Sequence, residues 1–390
     1  MITPSVAAMR LLHTSDWHVG RVFHGRDLLR EQESVLGGLA DLVSDERVDV
    51  VVVSGDLFDR AVPNAEAVAL CSRVLERVRA AGARVVVTPG NHDSAARLGL
   101  FGGFAAAGGL HLRTRVADLA DPVLLADEHG PVALYGIPFL EPETARRALD
   151  VPSARGHAGV LTEAMRRVTA DLAARPDGTR SVVLAHAFVT GGAPCDSERT
   201  IAVGGVQEVS GSVFDGVDYA ALGHLHGAQE LADHLRYSGS PLAYSFSEAG
   251  HTKSVWLVEL DAGGLAGVER RELPVPRPLG RLRGELGALL ADPANAAVED
   301  SFLSVELTDR VRPLDALRRL QARFEHAVHV EWKPEGGRRA ELRFAERVRG
   351  RSDEEVTCCF VEDVRNSPPS PGELALLREA FAAAGREESA

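Results

Sequence analysis

The feature that most constrains the fold is an uninterrupted run of four valines, Val50 to Val53, that leads directly into Ser54, Gly55 and Asp56. A short β-branched run without polar breaks is typical of a strand buried on both faces of a parallel sheet. Ser54 and Gly55 end this strand, so we expect the Asp56 carboxylate at the carboxyl edge of the sheet, where open α/β folds bind ligands. Taken alone, an aspartate at such a place is more often a helix cap or a turn residue.

Polar side chains also follow four other predicted strands at the point where each strand ends. Asp16 and His18 are two residues apart in an extended stretch, so their side chains point to the same side, as two ligands of one metal do. The other three strand ends supply one amide and four imidazoles: Asn91, His92, His186, His224 and His226. Because these strand ends meet at one edge of the fold, we expect the eight polar groups to form a single metal site.

The composition limits the class of protein. Its 390 residues predict two or three domains, and 45% hydrophobic and 25% charged residues are ordinary for a soluble globular protein. The absence of a membrane-spanning apolar stretch and of a signal-peptide pattern predicts a cytoplasmic location.

The net charge of −13 argues against binding nucleic acid by bulk electrostatics, but not at a site where metal ions supply positive charge. Four cysteines without CxxC spacing predict reduced thiols.

Alternating valine-rich strands and helical segments predict a mostly parallel α/β core. We expect helices at residues 26–46 and 65–80, and short strands between residues 110 and 137 that form a second sheet packed on the first. Residues 1–8 are predicted to be a disordered extension, and the core domain to occupy residues 9–272.

The proline-rich stretch LPVPRPL at residues 273–279 predicts an extended linker to a small α+β domain, residues 280–334. In that domain we expect helices at 282–290 and 313–324 and strands at 301–307 and 327–332. Residues 335–390 are predicted to be a tail with two helices, 353–365 and 372–384, the second with an apolar stripe of Leu374, Leu377 and Phe381.

The polar motifs, in the order DxH, GDxxD, GNHD, H and GHxH, resemble those of the calcineurin-like metallophosphoesterases. Longer phrases between Arg10 and about Gly250 resemble the SbcD-type nuclease branch of that family: LLHTSDWHVGR, SGDLFDR, TPGNHDS, CDSER, DYAALGHLHG and YSGSPLAYSFSEAG. Residues 279–333 are also similar to this branch, whereas the tail matches it only weakly. The resemblance implies a β-sandwich flanked by helices, a small α+β capping domain that binds DNA, and a C-terminal helical tail.

The resemblance also implies two metal ions, usually manganese, that share the Asp56 carboxylate. The first ion would be held by Asp56 together with Asp16, His18 and His226, and the second by Asp56 together with Asn91, His186 and His224. Carboxylate, carboxamide and imidazole ligands suit manganese or iron, whereas four thiolates would suit structural zinc.

Two further residues are assigned to catalysis by the resemblance. His92 would protonate or stabilise the leaving oxygen, and the alternative is a histidine that only bonds to the loop backbone. Asp59 would orient His92, as in phosphatase relatives, although some archaeal members of the nuclease branch have a histidine here. Asp93 is interpreted as a cap of the next helix, and Trp17 as a packing residue.

Candidate DNA contacts surround the expected metal site. Basic side chains there can bind backbone phosphates, and solvated surface residues are the alternative for any single one. The candidates are Arg21, His24, Arg26 and Arg60.

The function implied by the resemblance is a metal-dependent DNA nuclease, with double-strand exonuclease and endonuclease or hairpin-cleaving activity, in DNA repair, recombination and replication. Its implied partner is an SbcC-type ATPase, in an assembly with two copies of each protein; a homodimer and a nucleoid-associated location follow from the same resemblance. The tail helices suit docking on a coiled coil, and packing back on the chain is the alternative. Two other functions are possible for such a fold. A phosphodiesterase that acts on small phosphate esters would not explain the presence of the domain after Leu279. A non-catalytic scaffold would be expected to lack some of the metal ligands.

Overall fold

The structure is a computed structural model that describes residues 8–198, 208–334, 350–365 and 367–387. Residues 1–7 of the predicted extension, Arg199 of the CDSER phrase and residues 335–349 of the predicted tail lie outside the described residues. The chain divides into two compact units, Met1–Pro276 and Arg277–Ala390. In the described part of the chain, no helix is both long enough and apolar enough to cross a membrane.

The first sheet of the first unit has six strands and contains the valine run. In pairing order its strands are β14 (Gly264–Glu272), β13 (Ser254–Asp261), β1 (Met9–Thr14), β4 (Val50–Ser54), β5 (Arg84–Thr88) and β6 (Leu110–Leu112). β1, β4, β5 and β6 are parallel, and β13 and β14 add an antiparallel hairpin at one edge. Val50 to Val53 are fully buried, which confirms the prediction of a strand covered on both faces.

The second sheet also has six strands and packs on the first. In pairing order its strands are β11 (Gln229–Ala232), β12 (Leu235–Tyr237), β10 (Tyr219–Gly223), β9 (Arg180–His186), β8 (Gly130–Gly136) and β7 (Val123–Asp127). One apolar cluster joins the inner faces of both sheets, with Val50 and Val52 from one and Val182 and Leu184 from the other. The predicted sandwich is therefore confirmed.

Helices flank the sandwich, as the predicted fold class requires. They are α1 (Leu29–Asp45), α2 (Ala65–Ala80), α3 (Ala95–Leu98), α4 (Gly102–Ala107), α5 (Pro142–Ala148) and α6 (Gly156–Ala173). α6 packs Val160, Ala164 and Val168 on the outer face of the second sheet. α2 begins after Asn64, whose side chain accepts a hydrogen bond from the Ala67 amide. The predicted helix at 26–46 begins later than expected, because Arg26 and Asp27 form β3 in a small hairpin with β2 (Val22–Phe23).

The second unit contains a three-stranded parallel sheet with its own apolar core. Its strands and short helices alternate as β15 (Leu279–Gly284), α7 (Leu286–Ala291), β16 (Phe302–Leu307), α8 (Ala316–Gln321) and β17 (Ala327–Trp332). The predicted helix at 282–290 was wrong in its first part, since residues 279–284 pair with β16 along their whole length. Leucines at 282, 286 and 289 fit a helix as well as a strand followed by a helix, and backbone pairing with β16 decides the outcome.

The described part of the tail consists of two helices, α9 (Asp353–Arg365) and α10 (Pro371–Glu387). Ion pairs between Arg365 and Glu373 and between Arg378 and Glu354 join them. Both helices were predicted within a few residues of these bounds.

Candidate metal centre

The loops after β1 and β4 are joined by main-chain hydrogen bonds at the carboxyl edge of the first sheet. The amide of Asp16 donates to the carbonyl of Gly55 at 3.0 Å, and the amide of His18 donates to the carbonyl of Asp56 at 2.9 Å. These bonds continue the parallel pairing of the strands into the loops. Asp16, His18 and Asp56 are therefore brought together by backbone geometry, before any side-chain contact is considered.

Several predicted ligands have a left-handed backbone, which is uncommon for residues other than glycine. The φ angles are 53° for Asp16, 45° for His18, 51° for Asp56 and 105° for His224. Such conformations cost free energy and persist where the surroundings impose them, which occurs often at functional sites.

Two glycines permit the close approach of loops around Asp56 and His186. A Cβ atom on Gly90 would lie 2.1 Å from Asp56 Oδ1, and one on Gly55 would lie 2.1 Å from His186 Nδ1. Gly55 also has φ +89°, a region that side chains disfavour. The site consequently needs glycine at both positions.

Asp93 fastens the loop after β4 to the loop after β5. Its carboxylate accepts hydrogen bonds from the amides of Leu57, Phe58 and Gly90, each at 3.0 Å. The interpretation of Asp93 as the cap of the next helix was wrong, because Ser94 caps α3 by accepting from the Arg97 amide. Burial and then the nearby Asp56 raise the pKa of Asp93 to about 7.

A first cluster of ligand atoms consists of Asp16, His18 and His226. The Nε2 atoms of His18 and His226 lie 3.1 Å apart, and both rings are buried. Two imidazole nitrogens at this separation need a proton between them, and a cation bound by both rings takes the place of that proton.

A second cluster consists of Asp16, Asp56 and His186. His186 Nδ1 donates to the carbonyl of Ser54 at 3.0 Å, so the neutral ring has a lone pair on Nε2. That Nε2 atom faces Asn91 Oδ1 at 2.9 Å and Asp56 Oδ2 at 3.5 Å. Nδ2 of Asn91 is buried without a hydrogen-bond partner. His186 Nε2, Asn91 Oδ1 and Asp56 Oδ2 are thus three acceptors that face one another in the interior. A cation requires such an arrangement.

Asp56 belongs to the second cluster, and its Oδ2 atom also lies close to the first. It is 3.6 Å from His18 Nε2 and 3.5 Å from His186 Nε2. Its other oxygen accepts a hydrogen bond from the His92 amide at 2.8 Å, which fixes the orientation of the carboxylate. This position is the one that a carboxylate shared by two metal ions needs.

His224 lies beside the second cluster without belonging to either group of ligand atoms. Its ring centroid is 5.2 Å from that of His186, and its amide donates to both carboxylate oxygens of Asp16 at 3.1 Å. Its predicted role as a ligand of the second ion stays a prediction.

Burial shifts the pKa of three groups at the site, Asp16, His18 and His224. It raises the pKa of Asp16 to about 6, against the opposing influence of His186 and His226. It lowers the pKa of His18 and of His224 well below the ordinary histidine value, with neighbouring histidines adding to the effect. These two rings are therefore neutral, which is the form in which imidazole binds a metal.

His92 lies close to the first cluster, with its ring centroid 4.6 Å from that of His18. The hydrogen bond at His92 Nδ1 goes to the main-chain carbonyl of Asp59, at 2.8 Å. The Asp59 carboxylate instead pairs with Arg21 at 2.8 Å and lies 3.7 Å from His18 Nδ1. Asp59 is therefore next to His92 and contacts it through its main-chain carbonyl, while its predicted role in orienting His92 stays a prediction.

Three residues near His226 were not assigned a role from the sequence: Ser197, Glu248 and Lys253. His226 Nδ1 lies 2.7 Å from Ser197 Oγ, which donates to Glu248 Oε1 at 2.5 Å. Glu248 in turn is paired with Lys253 at 2.5 Å. Ser197 and Glu248 lie within the phrases CDSER and YSGSPLAYSFSEAG, so the resemblance marked their segments without indicating their function.

The candidate DNA contacts differ in their surroundings. Arg21 is partly buried, paired with Asp59 and stacked 5.5 Å from the Tyr244 ring centroid. His24 and Arg26 are exposed in and beside the β2–β3 hairpin, and Arg60 is 74% exposed next to Asp59. Trp17 is fully buried and donates to Thr14 Oγ1, which confirms its interpretation as a packing residue.

The residues present fit divalent cations. Both clusters combine carboxylate oxygens with imidazole nitrogens, Asn91 adds an amide oxygen, and neither cluster contains a thiolate. This donor set suits first-row metals such as manganese or iron. It can hold the two neighbouring ions that phosphoesterase chemistry uses.

Comparisons with known proteins agree with this chemistry. Residues 9–228 match the family model of the calcineurin-like phosphoesterases, and residues 275–365 match a model described as the type 5 capsule protein repressor C-terminal domain. The SbcD protein of the nuclease SbcCD from Escherichia coli (strain K12) is 32% identical over 333 residues, which cover 81% of this chain and 82% of the relative.

Two solved structures are similar at 12% identity. TT1561 of Thermus thermophilus has a TM-score of 0.42, with 68% of this chain and 99% of that chain covered. A dimetal phosphatase from Danio rerio has a TM-score of 0.38, with 69% and 99% covered.

Proposed function

Since the chain belongs to the calcineurin-like phosphoesterase family, and within it to the SbcD proteins of SbcCD nucleases, we propose that it is a metal-dependent DNA nuclease. Its reaction is the hydrolysis of phosphodiester bonds, as a double-strand exonuclease and as an endonuclease on hairpins. The observation that carries this proposal is the position of Asp56 Oδ2, 3.6 Å from His18 Nε2 and 3.5 Å from His186 Nε2.

The proposed cofactor is a pair of divalent ions, with Mn²⁺ as the preferred metal. Asp16, His18, Asp56 and His226 are the proposed ligands of the first ion, and Asp56, Asn91, His186 and His224 those of the second. When bound, such a pair of ions polarises the phosphodiester and lowers the pKa of a water nucleophile.

His92 is proposed to supply a proton to the leaving oxygen. Its Nδ1 atom is anchored on the Asp59 carbonyl, and its amide donates to Asp56 Oδ1, so the ring is held next to the clustered ligands. A general acid must be fixed within hydrogen-bond reach of the group that it protonates. The two main-chain contacts provide this fixation.

Arg60, Arg26 and His24 are proposed to contact DNA phosphates, because all three are exposed. Arg21 is a weaker candidate, since its side chain is only 19% exposed and pairs with Asp59 at 2.8 Å. The net charge of −13 means that little of the DNA affinity comes from the chain as a whole. A partner that adds positive surface is consistent with this charge.

The proposed partner is an SbcC-type ATPase, in an assembly with two copies of each protein. α9 and α10 expose Phe360, Val364 and Leu376 by 57%, 46% and 66%. The same side chains line an apolar cavity of about 390 Å³ between the two helices. An apolar groove on a helix pair is suited to a coiled coil, which presents apolar side chains at regular intervals.

A homodimer is proposed on the basis of a second apolar patch, at the junction of α3 and α4. Leu100, Phe101 and Phe104 are exposed by 63%, 68% and 82%. Contiguous exposed aromatic side chains usually mark an interface. A cytoplasmic, nucleoid-associated location completes the proposal, because the proposed substrate is chromosomal DNA.

The proposal is tested by offering the purified chain, with Mn²⁺, linear duplex DNA, a DNA hairpin and a chromogenic phosphodiester. Each substrate is tested with and without the SbcC-type ATPase and ATP. Cleavage of both DNA substrates, increased by the ATPase, is expected. Hydrolysis of the chromogenic ester alone would identify a small-molecule phosphodiesterase. The absence of any Mn²⁺-dependent activity would identify a non-catalytic scaffold protein.

A further inference from the structure

A buried chain of hydrogen bonds determines which nitrogen of His226 carries a proton. Ser197 has a single hydroxyl hydrogen, and it donates that hydrogen to Glu248 Oε1 at 2.5 Å. Ser197 Oγ can therefore only accept from His226 Nδ1, which lies 2.7 Å away. With Nδ1 as the donor to Ser197, Nε2 is the ring atom that faces His18 and the first cluster, and it is the atom left to bind a cation.

The Glu248 carboxylate at the end of this chain is fixed by several contacts. It accepts from Lys253 Nζ at 2.5 Å and from the Tyr244 amide at 3.0 Å, and both charged side chains are buried. Lys253 also donates to the main-chain carbonyl of His226 at 3.0 Å. Together with the Ser197 hydroxyl, all of these contacts come from donors, so both Glu248 oxygens act as acceptors, as those of an ionised carboxylate do. Glu248 is therefore a carboxylate.

The histidine of the second cluster is held by a main-chain contact instead of a side-chain network. His186 Nδ1 donates to the main-chain carbonyl of Ser54, so its orientation depends on the backbone at the end of β4. Side-chain changes at 197 or 248 remove a contact of His226 and leave this bond in place. The two clusters therefore have separately held imidazoles.

We propose that Ser197 and Glu248 are positioning residues for the first metal ion, acting through the tautomer and orientation of His226. The inference rests on the proposed two-metal site and adds a prediction to it. Loss of this chain of hydrogen bonds weakens the binding of the first ion, while the second ion stays bound. Hydrogen bonds to the distal nitrogen of a ligating histidine typically change metal affinity by about 10- to 100-fold.

Manganese titration of the metal-free full-length chain, followed by calorimetry and metal analysis, tests this inference. Ser197→Ala is expected to bind one Mn²⁺ as tightly as the wild type and the other about 10- to 100-fold more weakly. Ser197→Thr retains the hydroxyl and should restore the lost affinity. Ser240→Ala is the matched control, because it removes a buried hydroxyl that contacts Lys253 on the other side of the network.

Electron paramagnetic resonance adds a readout that a loss of stability alone would not change. Wild type with excess Mn²⁺ should show a spin-coupled pair, and Ser197→Ala at limiting Mn²⁺ the hyperfine spectrum of an isolated ion. Glu248→Gln should behave in the same way; if it unfolds because Lys253 loses its partner, the Glu248→Gln/Lys253→Met pair replaces it.

The outcomes separate this inference from the proposed function. Two ions bound with unchanged affinities in Ser197→Ala and in Glu248→Gln would overturn the positioning role and leave the metal site standing. An equal loss of affinity for both ions would also overturn the positioning role, since that role is specific to the first ion. A wild-type chain that binds no Mn²⁺ would refute the proposed function itself.

Discussion

Nε2 of His18 and Nε2 of His226 lie 3.1 Å apart in the interior of the protein, although the two residues are 208 positions apart in the sequence. This contact joins the loop after β1 in the first sheet to the loop after β10 in the second. A cation bound by both rings would replace the proton that they otherwise share. Metal binding at this place would therefore connect the carboxyl edges of the two sheets to each other.

The first prediction is that metal binding stabilises the folded chain. The proposed site exists only where the loops of both sheets are assembled, so Mn²⁺ at 100 times its dissociation constant should add about 2.7 kcal/mol to the free energy of unfolding. Thermal unfolding of the chelator-treated chain, with and without Mn²⁺, measures this. An equal rise in melting temperature for Asp56→Asn would contradict the assignment of the ion to this site.

The second prediction separates binding from catalysis. Asp56→Asn should lose bound metal, because it removes the carboxylate that lies between His18 and His186. His92→Gln should retain both ions and lose cleavage by about 10²- to 10⁴-fold, the usual contribution of a general acid. Metal analysis and DNA cleavage on the same preparations measure the two effects. Equal loss of metal in both variants would show that the role of His92 is misassigned.

The third prediction concerns the backbone beside Asp56. Gly90→Ala would place a Cβ atom 2.1 Å from Asp56 Oδ1, so the carboxylate or the loop after β5 must move. We expect a loss of metal binding together with a destabilisation of about 1 to 3 kcal/mol, typical of overpacking. Gly103→Ala is the control, since a Cβ there meets no atom within 4 Å. Normal metal content in Gly90→Ala would contradict the close fit.

Local sequence patterns predicted the parts of the fold in which local and long-range preferences agree. Val50 to Val53 are apolar, β-branched and buried on both faces, so propensity and burial point to the same element. Asp16 and Asp56 follow such strands and His186 ends one, and the parallel pairing of β1 with β4 determines where Asp16 and Asp56 meet. The convergence of these residues could therefore be predicted from strand ends alone.

Other features depended on contacts that no local pattern encodes. Residues 279–284 are a strand because their backbone pairs with β16, although their leucine spacing also fits a helix. Asp93 looks like a helix cap in sequence, yet its carboxylate binds amides of Leu57 and Phe58 in another loop. The proposed support of His226 by Glu248 is a further example. The Glu248 carboxylate can have such a role only because the fold buries it next to Ser197, which no local pattern indicates.

The fourth prediction concerns the ion pair of Asp127 and Arg180, whose side chains are 4% and 2% exposed. The Asp127 carboxylate also accepts from the Met9 amide at 2.9 Å, so it connects β7 and β9 of the second sheet to β1 of the first. Asp127→Ala leaves the Arg180 charge buried without this partner and should destabilise the chain by about 3 to 5 kcal/mol. Denaturant unfolding measures the loss, and DNA cleavage at low temperature should be preserved because Arg180 begins β9, whereas His186 ends it.

The same pair predicts a dependence on pH. Burial alone would raise the pKa of Asp127, but hydrogen bonds from Arg180 outweigh it and hold the pKa below the ordinary value. A carboxyl group with a lowered pKa in the folded state stabilises the fold above its ordinary pKa of about 3.9, and this contribution is lost as the pH falls. The free energy of unfolding should therefore decrease less steeply below about pH 4 in Asp127→Asn than in the wild type. Identical slopes would contradict the lowered pKa.

The last prediction tests the tail. Truncation after Lys333 should abolish binding of the SbcC-type ATPase and leave weak Mn²⁺-dependent nuclease activity, because the proposed metal ligands all lie in the first unit. Leu376→Glu is a finer test, since it places a charge in the apolar cavity between α9 and α10. Leu124→Glu is its control, because Leu124 is a similarly exposed leucine on β7.

Co-purification with the ATPase and basal DNA cleavage should separate these variants. We expect Leu376→Glu to lose the ATPase and to retain basal cleavage, whereas Leu124→Glu should retain both. Burying one unpaired charge in an apolar interface costs several kcal/mol, enough to reduce the affinity by more than about 100-fold. A truncated chain that still co-purifies with the ATPase would assign the partner to another surface, and α9 and α10 would then be left without the proposed role.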